Sequence, residues 1–283
     1  MNGWRQRFAR LVERKTRAAQ RARLAPYVTD FDRHDERAVA IGNEWTRRLF
    51  DGPFYLDPPT DATRPACSLV FVQSSDGNTG ARNPATLGGG ETDQHLIYEG
   101  LSRVAADAVL SGAQTVRGGG LVLSVWHQEL VALRASLDKP RHPTQVVATL
   151  KGLDLEGGLM FNVPEVPIVI VTVASAAASM RESLSVRPWI DLVVMKHSGD
   201  LPQALDELRQ RGIARISAIG GRHLAAQLID RRLVGDVYLT TGPRPGGEPD
   251  TPMYPQPLPA TVLVRKHGTQ NEAGVVFDHV RLK

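Results

Sequence analysis

The sequence predicts an α/β protein with a mixed, mainly parallel sheet, helices on both faces and an antiparallel C-terminal strand pair. Three observations carry this. The near-continuous apolar runs "TQVVATL", "VPIVIVTV" and "IDLVVMKH" read as strands covered on both faces. Helix-period segments separate several of the runs, which implies right-handed crossovers between parallel neighbours. Finally, "ATVLVRKHG" and "GVVFDHVRLK", bridged by "TQNEA", read as an antiparallel pair.

Taken in order, residues 1 to about 50 read as helical. A basic segment runs to Leu24, a break spans Pro26 to Asp32, and "HDERAVAIGNEWTRRLF" follows. The four prolines of "DGPFYLDPPTDATRP" suit an extended connector, because proline cannot continue a helix. The chain therefore divides into a helical extension with a proline-rich connector over 1–64 and a main domain over 65–283. "CSLVFVQSS" (67–75) is a strand ending in the turn signal Asp76-Gly77. Residues 91–106 fit a helix with Thr92 as N-cap and Leu96, Leu101, Val104 and Ala105 inward. "DAVLSGA" is the next strand. Further on, Leu201, Ala204, Leu205 and Leu208 keep a helical period. "ARISAIGG" runs straight into a helix marked by Leu224, Ala225, Leu228 and Ile229, and "GDVYLTTG" is the strand after it.

Bulk properties bound the function. Of the 283 residues, 42% are hydrophobic and 23% charged, which is ordinary for a globular protein. No apolar run approaches the roughly 18 residues of a membrane span. The single cysteine, Cys67, allows neither an internal disulfide nor a cysteine-cluster zinc site. With no secretory-type apolar segment at the N-terminus, a reducing, cytoplasmic setting is expected. The net charge of +4 is uneven: residues 1–24 hold eight Lys and Arg against one acid, Glu13, and the remainder is net acidic. Trp4, Phe8, Leu11 and Val12 give that arm an apolar stripe. A nucleic-acid or anionic-membrane contact is one reading of it. The favoured reading lays the stripe on its own domain or on a partner subunit.

Two strand ends carry the functional signal. In open α/β sheets, ligands sit beyond the carboxyl ends of the strands. One end is Ser111-Gly112-Ala113-Gln114-Thr115-Val116; the other is Gly220-Gly221, leading into a helix at Arg222. A glycine pair at a helix N-terminus leaves N–H groups free for a phosphate. Two such loops could hold a dinucleotide pyrophosphate; alternatively, both glycines allow close helix–sheet packing.

The ordered set "SSDG" (74–77), "LSRVAADAVLSGAQTV" (101–116), "VIVTV" (169–173), "AIGGRHLAAQLIDRRLVGDVYL" (218–239) and the closing strand pair resembles the reductase domain of riboflavin biosynthesis. The resemblance covers about residues 65–283 and implies a dihydrofolate-reductase-like fold of about eight or nine strands. It implies NADPH as hydride donor, held by the loop matched by Gly112, Ala113, Thr115 and Val116 and by the helix start matched by Gly220, Gly221, Arg222, His223 and Leu224. Thr172, within "VIVTV", is placed on the cofactor side as well, and Lys151, just beyond "QVVATL", is either a contact for the 2′-phosphate or a solvated lysine at a strand end. Ser74, Asp76 and Arg103 match the substrate side, and a homodimer is implied. The sequence departs from the family where Gly119 and Gly120 replace two acids, Trp126 replaces an arginine, and Ile219 replaces the glutamate of "EGG".

The reading that follows is an NADPH-dependent reductase of a small pyrimidine- or pteridine-like heterocycle. The alternative is a nucleotide-binding or scaffold protein of the same fold without turnover. No nucleophile–base pair is legible, as suits chemistry carried by a cofactor, and no metal or nucleic acid is expected. Without further cysteines the chain cannot supply the zinc deaminase often fused to this family. His95 is expected at a solvent edge or cap.

Overall fold

Strands form where β-branched residues cluster, and most of the expected runs are strands. The computed structural model describes residues 2–34, 36–59, 61–117 and 120–283. Its strands are β1 (Tyr27–Asp32), β2 (Val39–Ile41), β3 (Phe54–Leu56), β4 (Ala66–Gln73), β5 (Ala108–Gly112), β6 (Thr144–Ala148), β7 (Ile168–Val173) and β8 (Ile190–Met195). β9 (Arg215–Ala218), β10 (Asp236–Thr241), β11 (Ala260–Gly268) and β12 (Val276–Leu282) follow. Ten of them form one sheet in the order β1-β11-β12-β10-β4-β9-β5-β6-β7-β8. Pairing is parallel from β10 through β8. It is antiparallel where β12, β11 and β1 extend the sheet beyond β10. The expected mixed sheet with its antiparallel closing pair is the observed one.

The period of two divides the sheet's residues between its faces. Ala108, Leu110, Val146, Val169 and Val171 pack with Leu205 and Leu208 of α8 (Leu201–Gln210) and with Ala225 and Leu228 of α9 (Arg222–Asp230). Val109 faces the other way, toward Leu96, Ile97, Leu101 and Leu130. Val147, Ile168 and Ile170 join a third cluster with Leu11 and Ala19 of α1 (Asn2–Arg21). Trp4, Phe8 and Val12 pack against that cluster, so the apolar stripe of the basic arm is covered by its own chain.

Three local expectations are corrected. The break at 26–32 contains β1, which pairs with β11 as the sheet's edge; its burial alternates, as a half-buried strand requires. "HDERAVAIGNEWTRRLF" is not continuous helix: β2 pairs with β3, and only α2 (Glu44–Phe50) is helical, started by an Asn43–Thr46 capping box. Thr92 is not an N-cap. It has helical backbone angles, and its hydroxyl bonds the main chain of Ala25, accepting from N–H at 2.8 Å. The helix that starts at Gly90–Thr92 continues as a wide π-helical stretch, Asp93–Leu101. It buries Asp93, His95 and Glu99 beside its apolar residues, so no single amphipathic face describes it.

Candidate active site

The sheet order places the predicted strand ends side by side. β4, β9, β5, β6 and β7 are consecutive parallel neighbours. Ser74 and Asp76 follow β4, Gly220–Leu224 follow β9, Gly112–Val116 end β5 and enter a short helix (Ala113–Val116), Lys151 follows β6, and Thr172 lies near the end of β7. All therefore belong to one carboxyl-end edge.

Gly112 and Gly221 have ordinary extended backbones, with φ of −83° and −65°. Neither needs glycine for a left-handed conformation. A Cβ built at either position meets no atom within 4 Å, so close packing within the chain does not require glycine there either. Only Gly220 has a near neighbour, the flexible end of Leu224 at 3.0 Å. α9 starts at Gly221 without a side-chain cap. Its N-terminal N–H groups and the positive end of its dipole thus meet the exposed strand-end surface. Arg222 is half-buried there and His223 exposed.

On the β4 side, the Asp76-Gly77 turn is real: Gly77 has φ +83° and its N–H donates to the Ser74 carbonyl at 2.9 Å. Ser74 is fully buried, and its hydroxyl reaches Asp76 Oδ1 at 2.5 Å and the Gly246 carbonyl at 2.8 Å. Ser74 therefore braces the loop, and Asp76 is the exposed member. The Ser74 hydroxyl holds the Asp76 carboxylate below the usual range.

One predicted residue, Arg103, lies away from this edge. Arg103 is 2% exposed, donates from Nη1 to the Ser124 carbonyl at 3.0 Å, and stacks its guanidinium 3.8 Å from the Tyr98 ring centre. It lies just before β5, whereas Ser74 and Asp76 lie beyond the end of β4. Thr172 is fully buried, and its hydroxyl has no partner among the described residues. Lys151 is exposed. Of the residues at the family departures, Trp126 is 2% exposed and Ile219 is 6% exposed, its N–H given to the Leu110 carbonyl. Gly120 is exposed, and Gly119 lies outside the described residues. His95 is no solvent-edge residue: it is buried, with Nδ1 3.3 Å from Glu99 Oε2.

The sequence reading passed over Asp93. Its carboxyl packs under Gly89 beside Val72, near the end of β4. Burial, reinforced by the Glu272 carboxylate and opposed by the Thr240 hydroxyl, pushes it up to about 7. A carboxyl that holds a proton near neutrality beside a site is suited to acid–base work. Nothing in a helix-period pattern marks a buried acid.

The fold is that of an α/β protein with a mixed, mainly parallel sheet whose candidate site lies at the carboxyl ends of its parallel strands. The sequence profile of the RibD C-terminal domain matches residues 65–277, and the chain belongs to that family. Membership supports an oxidoreductase. Solved structures agree in fold. A pyrimidine reductase-like protein from Corynebacterium diphtheriae superposes with a TM-score of 0.59 at 19% identity, covering 80% of this chain and 95% of that one. The deaminase/5-amino-6-(5-phosphoribosylamino)uracil reductase of Thermotoga maritima gives 0.57 at 16% identity, covering 78% of this chain and 57% of that one. The Saccharomyces cerevisiae riboflavin biosynthesis reductase gives 0.54 at 17% identity, covering 80% and 93%. No curated protein matches the chain.

Proposed function

We propose that the protein is an NADPH-dependent reductase of a small pyrimidine- or pteridine-like heterocycle. One observation carries the reading: Gly112, at the end of β5, and Gly221, three residues beyond the neighbouring β9, are glycines that neither φ nor packing within the chain explains. Space reserved on both loops fits the backbone of a dinucleotide-binding edge. Gly112–Val116 and Gly220–Leu224 would hold the pyrophosphate and its flanks, with Arg222 and His223 as cationic or donor groups. Lys151 would meet the 2′-phosphate. When bound, the nicotinamide supplies the hydride. Asp76 orients the substrate from the neighbouring strand end, and Asp93 holds a proton close by. The protein acts as a homodimer in the cytoplasm; no described helix is long and apolar enough to cross a membrane.

NADPH titration followed by tryptophan fluorescence, or by calorimetry, tests the cofactor. Saturable binding below about 1 mM is expected; no binding at that concentration refutes the reading. A second reading, a nucleotide-binding protein without turnover, is favoured by one feature: Trp126 and Ile219, which replace charged groups of the family, are both buried. Assay with pterins, dihydrofolate and aminopyrimidines separates the two. NADPH oxidation with any of them supports the reductase; binding without oxidation supports the second reading.

A further inference from the structure

At the opposite, amino-terminal end of the sheet, two histidines face each other across a gap. His34 follows β1, and His279 lies in β12 beside Tyr238 of β10. His34 Nε2 and His279 Nδ1 are 3.0 Å apart. Each ring uses its other nitrogen on a carboxylate: His34 Nδ1 lies 2.8 Å from Asp32 Oδ1, and His279 Nε2 lies 3.0 Å from Asp236 Oδ1. A carboxylate only accepts, so those outer nitrogens carry the protons. The two facing nitrogens of the neutral rings are then both lone pairs, an arrangement that needs a cation between them. Asp57 supplies a third ligand atom, and the three lie within 4.8 Å of one another.

We propose that His34, His279 and Asp57 bind a divalent transition-metal ion of the zinc class. Two imidazoles, each oriented by an acid that fixes its tautomer, with one carboxylate, form a known donor set for such ions. The spacing fits. With metal–nitrogen bonds of about 2.0–2.1 Å, two ligands stand roughly 2.9 Å apart at a right angle and roughly 3.4 Å apart in a tetrahedron. The observed 3.0 Å falls between.

The charges that face the site also fit. Asp32, Asp57 and Asp236 meet it against Arg281, which pairs with both Asp57 and Asp236; Arg215 binds only the Asp57 carbonyl. The groups bonded directly to the two rings are both carboxylates, Asp32 and Asp236. The competing occupant is a proton, which zinc binding would displace. Asp57 and Asp236 also line a cavity of about 980 Å³. The ion would clip the loop after β1 and the connector before β4 onto β12. Both segments lie outside the stretch matched by the family profile.

The full-length protein, stripped with EDTA and dialysed, is titrated with zinc alone. One zinc per chain, with a dissociation constant of about 10 μM or tighter and a raised melting temperature, is expected. His279→Asn and His34→Gln should each weaken binding at least tenfold, and Asp236→Asn about 10–100-fold through the orienting hydrogen bond. No stoichiometric binding, or unchanged binding in folded His34→Gln and His279→Asn proteins, overturns the proposal. Should those variants not fold, nitrogen-detected NMR of the native chain decides. Zinc must shift the ring nitrogens of His34 and His279; shifts confined to other histidines, or none, refute the site.

Discussion

Arg134 holds the end of the helix that carries Arg103: its Nη1 donates to the Arg103 carbonyl at 2.9 Å and to that of Ala106 at 2.7 Å. Its Nε donates to the Pro140 carbonyl at 2.6 Å, and the side chain is 1% exposed. One buried cation thus satisfies carbonyls that a helix C-terminus leaves open.

Arg134→Met should therefore destabilise the protein by about 2–4 kcal/mol, because buried acceptors lose a charged donor. Urea unfolding measures it. NADPH affinity of the folded protein should not change, since Arg134 is remote from the strand ends that carry Gly112 and Gly221. A stability change below about 0.5 kcal/mol would show that the carbonyls find other partners.

The raised Asp93 carboxyl makes a pH prediction. In the unfolded chain it titrates near 3.9; in the fold, burial pushes it up to about 7. Between those values the folded form holds a proton that the unfolded form has released. Its contribution is thus intact below about pH 4 and is lost as pH rises toward 7. Asp93→Asn should flatten the dependence of Tm on pH across this window, by a few kcal/mol at most. Differential scanning calorimetry from pH 4 to 8 reads it. An unaltered slope would mean that Asp93 is ionised in the fold.

Much of the fold was legible because its strands are long β-branched runs and its α8 and α9 helices keep a clean apolar period. β1 was not: six residues with three polar ones, "YVTDFD", gain strand character only by pairing with β11 in the chain's closing segment, from Tyr27 opposite Gly268 to Asp32 opposite Val264. The π-helical stretch was illegible for a different reason, since it is buried on several sides and its acids look like a polar face. At the site, Gly112 and Gly221 were visible as glycines, but whether they serve packing or a ligand depends on the empty space beside them. Arg103 could be placed on a helix, yet its direction depends on Tyr98 and Ser124, and only the fold supplies that.

The basic arm gives a prediction that separates its two faces. Leu11 is 5% exposed within the cluster around β6 and β7, whereas Arg14 is exposed. Leu11→Ala should lower stability by about 2–4 kcal/mol, the range for a buried leucine. Arg14→Ala should change it by less than about 0.5 kcal/mol. Thermal melts of both variants check this. Equal effects would mean that the arm does not dock through its apolar stripe.

The strand-end glycines provide the sharpest test of the proposed function. Gly112→Val and Gly221→Val each add a branched side chain whose Cβ meets no atom within 4 Å beyond its chain neighbours, at backbone angles valine tolerates. Neither should harm the fold: Tm should shift by no more than a few degrees, consistent with a change below about 1 kcal/mol. Both side chains stand where NADPH is proposed to bind, at the end of β5 and in the loop after β9. The dissociation constant should rise at least about tenfold in each, equivalent to roughly 1.4 kcal/mol. Melting and cofactor titration on the same samples provide both readings. Loss of stability with normal affinity would return the glycines to a packing role. Normal stability with normal affinity would leave the fold as described but move the cofactor away from the ends of β5 and β9.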